Sequence, residues 1–234
     1  MVLEFSLEML SSKVVGRKIS YKLKRTTSDL YSSDKDNPIA VEDFDKIKKV
    51  AEDLKQNEIY YVDVPGTVEE IRNTIFHFYN TIAKGKWLIV VLDHALLVKG
   101  KSGDAERTIL SDLQYMFVEI KKYGRNTIIQ LSQMNRDIES TERLNNPSLH
   151  WPMRKDVFGG ESLFQCSDYV VVLHRPELLG LKTYGIENWP TQNLIYMHIL
   201  KAREGELGII PFKNLLKFNR IDEHDNFKKE AQAS

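Results

Sequence analysis

KWLIVVLD, Lys86 to Asp93, is the stretch on which the reading of this chain turns. Leu88 to Leu92 are apolar without interruption, bounded by Lys86-Trp87 on one side and Asp93 on the other, and read as a strand buried on both faces, as in parallel sheets covered by helices. Asp93 then sits at the carboxyl end of the strand. Open α/β sheets bind ligands along that edge, and an acid there is well placed to hold a magnesium ion through water. A second run, NTIIQLSQMNR at Asn126 to Arg136, ends on Ser132, Gln133, Asn135 and Arg136 instead of an acid. Two strand tips with polar ends point to one nucleotide site.

Working outward, 234 residues of which 42% are hydrophobic suffice for one sizeable core, and a single domain is expected over 1–221 with a charged, frayed tail over 222–234. Lys plus Arg and Asp plus Glu number 33 each, so bulk charge neither favours nor excludes a nucleic-acid partner and any polyanion site must be local. Cys166 is the one cysteine, which fits a reducing cytoplasmic setting. No stretch approaches the ~20 apolar residues of a spanning helix, and no membrane partner is expected.

Val2 to Phe5 reads as a strand, with Ser6 or a neighbour capping the helix that follows and Glu8 at the junction. Arg25 to Ala40 is a polar connection; Val41 to Gln56 resumes helical spacing. EIYYVDV at Glu58 to Val64 is a strand, closed by Pro65-Gly66, with Thr67 capping a helix to Ala83. Asp104 to Tyr123 is a helix that Gly124 ends. Asp137 to Gly160 is a long polar loop of the kind that is either functional or disordered. Strands follow at Asp168 to His174 and Asn193 to Leu200, then Leu207 to Phe212 and Leu216 to Asn219 as a closing hairpin. The alternation predicts an α/β fold: a mostly parallel sheet with helices on both faces and antiparallel strands at the C-terminal end.

Five pieces, FSLEM at Phe5 to Met9, LIVVLD at Leu88 to Asp93, LSQMNR at Leu131 to Arg136, VVLHRPE at Val171 to Glu177 and LKAREG at Leu200 to Gly205, resemble the motor domain of DnaB-type replicative helicases. These are a branch of the RecA-like P-loop NTPases, and the pieces stand in the family's order over most of the chain. The resemblance implies a hexameric ring that spends ATP, with Mg²⁺, to move on single-stranded DNA and unwind duplexes. A primase and a helicase loader are the implied partners. Glu8 matches the carboxylate that orients and deprotonates the attacking water, Asp93 the acid holding magnesium, and Gln133 the sensor coupling the γ-phosphate to DNA-contacting loops. Lys201 and Arg203 match residues reaching the neighbouring subunit's nucleotide, Arg203 as the finger on the transferred phosphoryl group. Lys99 and Lys101 after the Asp93 strand, and Arg154, Lys155, Gly159 and Gly160 in the long loop, are the expected DNA contacts.

Plainer roles stand beside these. Glu8 can serve a helix dipole, Gln133 and Asn135 can tie loop backbone together, His94 and His174 can be hydrogen-bonded core or rim residues, and Lys201 and Arg203 can form a solvated strand face. A motor of this kind also needs G-x-x-x-x-G-K-[ST] before the FSLEM strand, and none lies there. Gly100-Lys101-Ser102 is a poor substitute, because Leu96, Leu97 and Val98 fill the loop where backbone amides would have to curl around an anion. The expectation is an N-terminally truncated domain, inactive alone and leaving sheet edges unpaired. The alternatives are another RecA-like ATPase, of recombinase or clock type, and a non-catalytic ring subunit lending Arg203 to intact neighbours.

Overall fold

The structure is a computed structural model that describes residues 1–32, 39, 41–100 and 103–224, and it divides into two compact units, 1–132 and 133–234. In the first unit the order is β1 (Val2–Ser6), α1 (Ser11–Leu23), α2 (Thr27–Tyr31), α3 (Val41–Lys55), β2 (Ile59–Val62), α4 (Val68–Phe78), β3 (Leu88–Asp93), α5 (Glu106–Tyr123) and β4 (Asn126–Gln130). The four strands are all parallel, in the order β2-β1-β3-β4. Connections this long are what parallel pairing requires.

Pleating sorts the sheet's side chains onto two faces. One carries Leu3 and Phe5 of β1 with Leu88, Val90 and Leu92 of β3, all buried together with Ile71, Ile75 and Phe78 of α4 and Leu113, Met116, Phe117 and Ile120 of α5. This is the core. On the other face α1 lies over β1 and β2, where the Lys18 ammonium meets the Glu4 carboxylate at 3.1 Å and the Tyr61 hydroxyl at 2.7 Å. The rest of that face is open: Ile129 and Leu131 are 46% and 45% exposed.

Local chemistry sets the helix ends. The Thr67 hydroxyl accepts from the Glu70 amide while the Glu70 carboxylate accepts from the Thr67 amide, closing a capping box at the start of α4. Helical backbone continues past Phe78 as a π turn, Tyr79–Ala83, so the whole predicted span is helical. The start of α1 differs from expectation. Ser6 does not cap it, because three bent residues intervene and its hydroxyl donates to the Met9 carbonyl; Ser11 opens the helix instead, its amide and hydroxyl both donating to Asp63. Within the polar connection after Arg25, a capping box of Thr26 and Asp29 starts the short helix α2. Gly124 does end α5, but in extended backbone rather than a left-handed cap. A side chain is excluded there, because a Cβ would run into the Tyr79 hydroxyl.

The second unit carries α6 (Thr141–Asn145), α7 (Gly160–Cys166), β5 (Tyr169–His174), β6 (Thr183–Tyr184), β7 (Trp189–Pro190), β8 (Leu194–Ala202), β9 (Gly208–Leu215) and β10 (Arg220–Glu223). β10-β9-β8-β5 form an antiparallel sheet, and β6 pairs with β7. The closing hairpin is shifted from its expected register: Leu216–Phe218 is a 3₁₀ turn, Asn219 takes a left-handed conformation, and the final strand follows it. β10 therefore runs through Asp222 and Glu223, into the stretch expected to be tail, while 225–234 lie outside the described residues. Among the described residues no helix is long and apolar enough to cross a membrane.

Candidate functional site

The parallel register of β1 and β3 sets Ser6 opposite Asp93, and the Leu7 amide donates to the Asp93 carbonyl at 2.7 Å. Glu8 follows at once, so the two acids predicted at neighbouring strand tips do meet at one end of the sheet. Burial raises the Asp93 carboxyl above its ordinary range and the negative charge of Glu8 raises it further, against the opposing pull of His94 and Arg17. Glu8 itself stays open to solvent, its side chain 60% exposed, with a carboxylate oxygen 3.9 Å from Nε2 of the buried His94.

A half-buried carboxyl raised by burial and by the charge of a neighbouring carboxylate forms an anionic tip that a hard divalent cation would relieve. Among the described residues no group of three or more acids, histidines or cysteines is placed to hold a metal. One or two carboxylates completed by water and phosphate oxygens is the usual way magnesium is held, so the donor set fits that ion and not a dedicated protein cage.

Lys99 is exposed, and its amide donates to the Gly66 carbonyl beside the α4 cap. Lys101 lies outside the described residues. The loop between Asp93 and Gly100 carries buried Ala95 and Val98 around a 3₁₀ turn, and a Cβ at Gly100 would collide with the Ile109 side chain. Ala95 and Val98 pack inward there.

In the second unit Gln133 is exposed and its carbonyl accepts from the Phe158 amide at 3.0 Å, while the Asn135 side chain donates to the Lys155 carbonyl. The long loop after it is ordered, not slack. Buried Arg143 donates to buried Asp156 at 2.6 Å and to the carbonyls of Leu149 and Trp151, and Asp156 also accepts from the Met153 amide. Nothing in sequence spacing announces that pair. The loop's outward cations are engaged: Arg154 pairs with Glu161 at 2.7 Å and stacks over Phe164, and Lys155 pairs with Asp137 at 2.9 Å. Gly159 takes φ 77°, turning the chain into α7 at Gly160.

Lys201 and Arg203 take different paths. The Lys201 ammonium donates to the Phe164 and Gln165 carbonyls at the end of α7, whereas Arg203, 55% exposed, holds Asp168 at 2.8 Å on the surface. A surface pair of this kind contributes ~0–1 kcal/mol, so the arginine is readily released to another anion.

The strand residue His174, expected as a core or rim histidine, belongs to a buried cluster: the Tyr184 hydroxyl bridges His174 Nδ1 at 2.6 Å and His198 Nε2 at 2.8 Å. Trp151, Trp189 and Tyr196 wall it. Burial, then the charges of Arg143 and His150, push His174 down to about 4; burial and His174 push His198 down to about 3.

The family model "DnaB-like helicase C terminal domain" matches residues 1–223. The replicative DNA helicases DnaB of Mycobacterium leprae (strain TN) and Mycobacterium intracellulare are each 27% identical over 175 residues, 74% of this chain, which spans 27% and 28% of their lengths. Among solved structures, one ATPase domain superposes with a TM-score of 0.80 at 20% identity, covering 96% of this chain and 75% of that one. A DnaB-like replicative helicase, solved for its interactions with primase, gives the same TM-score and identity over 96% of this chain and 51% of its own. The mostly parallel α/β sheet with antiparallel C-terminal strands expected from the strand pattern, and the RecA-like core implied by the resemblance, are thus the fold observed. With the match running over residues 1–223, the chain belongs to the family of DnaB-like helicase C-terminal domains.

Proposed function

We propose that these residues form the greater part of the motor of a hexameric replicative helicase, which couples ATP hydrolysis at subunit interfaces to movement on single-stranded DNA and duplex unwinding in the cytoplasm. The observation that carries this reading is the meeting of Glu8 and Asp93 at adjoining strand tips. In it Asp93 would hold magnesium, which would supply charge neutralisation on the phosphates, and Glu8, open to solvent, aligns a water and takes its proton. Gln133 senses the γ-phosphate. Arg203 leaves Asp168 to reach the neighbouring protomer's nucleotide, and Lys201 keeps the end of β8 fixed on α7 until it reaches out beside it.

Lys99, Lys101, Arg154, Lys155 and the Gly159-Gly160 turn are the proposed DNA contacts, which for Arg154 and Lys155 means exchanging Glu161 and Asp137 for phosphate. A primase and a loader are the proposed partners. In the domain completed by a glycine-rich lysine loop, Glu8→Gln is expected to keep magnesium-ATP binding and lose hydrolysis by about 10²- to 10⁴-fold, the usual weight of a positioned base. Unwinding measured on the same protein separates a helicase from a recombinase or clock-type ATPase. Undiminished hydrolysis in the variant sinks the assignment of Glu8.

A second reading is a ring subunit that only lends Arg203, whose guanidinium stands at the surface on an exposed ion pair with Asp168. Magnesium-ATP titrated into this chain alone separates the two: tight binding excludes it.

A further inference from the structure

The chain enters the neighbouring strands β3 and β4 through two exposed turns, Lys84-Gly85-Lys86-Trp87 and Lys122-Tyr123-Gly124-Arg125. The register pairs Leu88 with Asn126, and the Leu88 amide donates to the Arg125 carbonyl at 3.0 Å, so the turns meet at the amino end of the sheet. Each brings two cations and one large ring. No acid stands in the sequence between Ile71 and Leu92 or between Ile120 and Arg136, so a chain that is neutral as a whole is strongly basic here. Glu58, just before β2, pairs with Lys86; Lys84, Lys122 and Arg125 make no ion pair among the described residues.

Trp87 and Tyr123 are 57% and 52% exposed, and both are held by their polar edges. The Trp87 indole N–H donates to the Thr127 hydroxyl at 2.9 Å, and the Tyr123 hydroxyl donates to the Asn80 side-chain carbonyl at 3.2 Å. Phe76 and Tyr79 meet the Tyr123 ring edge to face, with centroids 4.7 and 5.5 Å away, and the Tyr79 hydroxyl accepts from the Arg125 amide at 3.1 Å. These contacts orient the rings before any ligand arrives and leave apolar surface outward. The negative ends of α5 and of the helical run through Ala83 account for a basic residue apiece. They give no reason for Arg125, which lies beyond the helix, or for two anchored rings beside the cations. Sequence-independent binding of single strands uses both ingredients, cations that neutralise phosphates and ring faces on which bases stack. An acidic peptide would use the cations and leave the rings idle.

We propose that these two turns form a site for single-stranded nucleic acid, with Lys84, Lys122 and Arg125 on phosphates and Trp87 and Tyr123 against bases. Asp93 stands at the other end of β3, about 20 Å away along the strand, so the site is separate from the acidic tip and does not rest on the ATPase reading.

The test is fluorescence anisotropy of a labelled oligothymidylate of roughly 15 nucleotides, titrated with the chain at several salt concentrations. The triple variant Lys84→Gln, Lys122→Gln, Arg125→Gln is expected to bind about tenfold or more weakly, with the slope of log affinity against log salt reduced by about 2. Trp87→Leu and Tyr123→Leu are each expected to weaken binding about fivefold or more without changing that slope, and Tyr123→Phe, which keeps the ring, to bind like the parent. Circular dichroism checks each fold; if Tyr123→Leu does not fold, Trp87→Leu decides. No binding by the parent at about 50 mM salt overturns the site, as does a triple variant that binds like the parent. Ring variants that bind like the parent, with heparin displacing the oligonucleotide equally from all, mean a general polyanion patch and overturn the nucleic-acid assignment. A second triple, Lys99→Gln, Arg154→Gln, Lys155→Gln, keeps the two readings apart. If it alone weakens binding, the DNA contacts of the proposed function stand and this site falls; if the first triple alone does, the reverse holds.

Discussion

At the tip of the first unit two acids stand within each other's field, one of them half out in solvent, and the Asp93 carboxyl is driven above its ordinary range. In the core of the second, two imidazoles share one tyrosine hydroxyl and are driven well below theirs. The first arrangement leaves two carboxylates only partly offset by His94 and Arg17, which costs stability. The second removes charge altogether, and its polar atoms hold three strands in one packing. Concentrated, unsatisfied charge marks chemistry; dispersed, neutral polarity marks structure.

The sharpest way to break this contrast is at Arg143. Removing one member of its buried pair strands Asp156, so Arg143→Ala is expected to destabilise the chain by about 3–5 kcal/mol in urea denaturation. A loss below about 1 kcal/mol means the pair does not organise the loop.

Lowering the pH acts next. The unfolded imidazoles take protons near 6.5 while His174 and His198 resist them until about 4 and about 3, so the unfolded state binds more protons in between. Stability is therefore full above about pH 6.5 and falls toward about pH 4, by about 1.4 kcal/mol per pH unit per histidine. Asp93 works in the opposite sense: its raised folded value means that protonation on acidification stabilises the fold. Denaturation curves of His198→Gln against the parent at about pH 7 and about pH 4.5 check the sign, the variant losing less on acidification. Tyr184→Phe leaves two buried imidazole nitrogens without their shared partner and is expected to cost about 1–3 kcal/mol near neutral pH. Smallest is Asp93→Asn, expected to raise stability by less than about 1 kcal/mol by removing a half-buried charge and, with it, the repulsion from Glu8. Calorimetry near neutral pH showing destabilisation instead would mean that Asp93 already has a compensating partner.

Much of this was legible from residue order. Uninterrupted apolar runs such as Leu88–Leu92 predict parallel strands between helices, and the parallel pairing is observed, although only Leu88, Val90 and Leu92 are fully buried and Ile89 and Val91 lie on the less covered face. The capping residue Thr67 and the acid closing β3 were equally plain, because each acts through its nearest neighbours in the chain. Gly124 looked like a left-handed cap, yet its backbone is extended, and it is the Tyr79 hydroxyl that leaves no room for a side chain there. Arg143 and Asp156 looked like ordinary loop charges for the same reason: a buried ion pair forms between residues that only a folded loop brings together.

Sequence by itself determined the main strands and helices of the parallel sheet, the family, and the acids at the sheet tip, since periodicity and strand-end chemistry are local properties. Tertiary structure decided that Glu8 raises Asp93, that His174, Tyr184 and His198 share one hydroxyl, that Lys201 turns to α7 while Arg203 stays at the surface, and which sheet face lies open. Those depend on register and on distances through space, and neither is written in the spacing of residues along a chain.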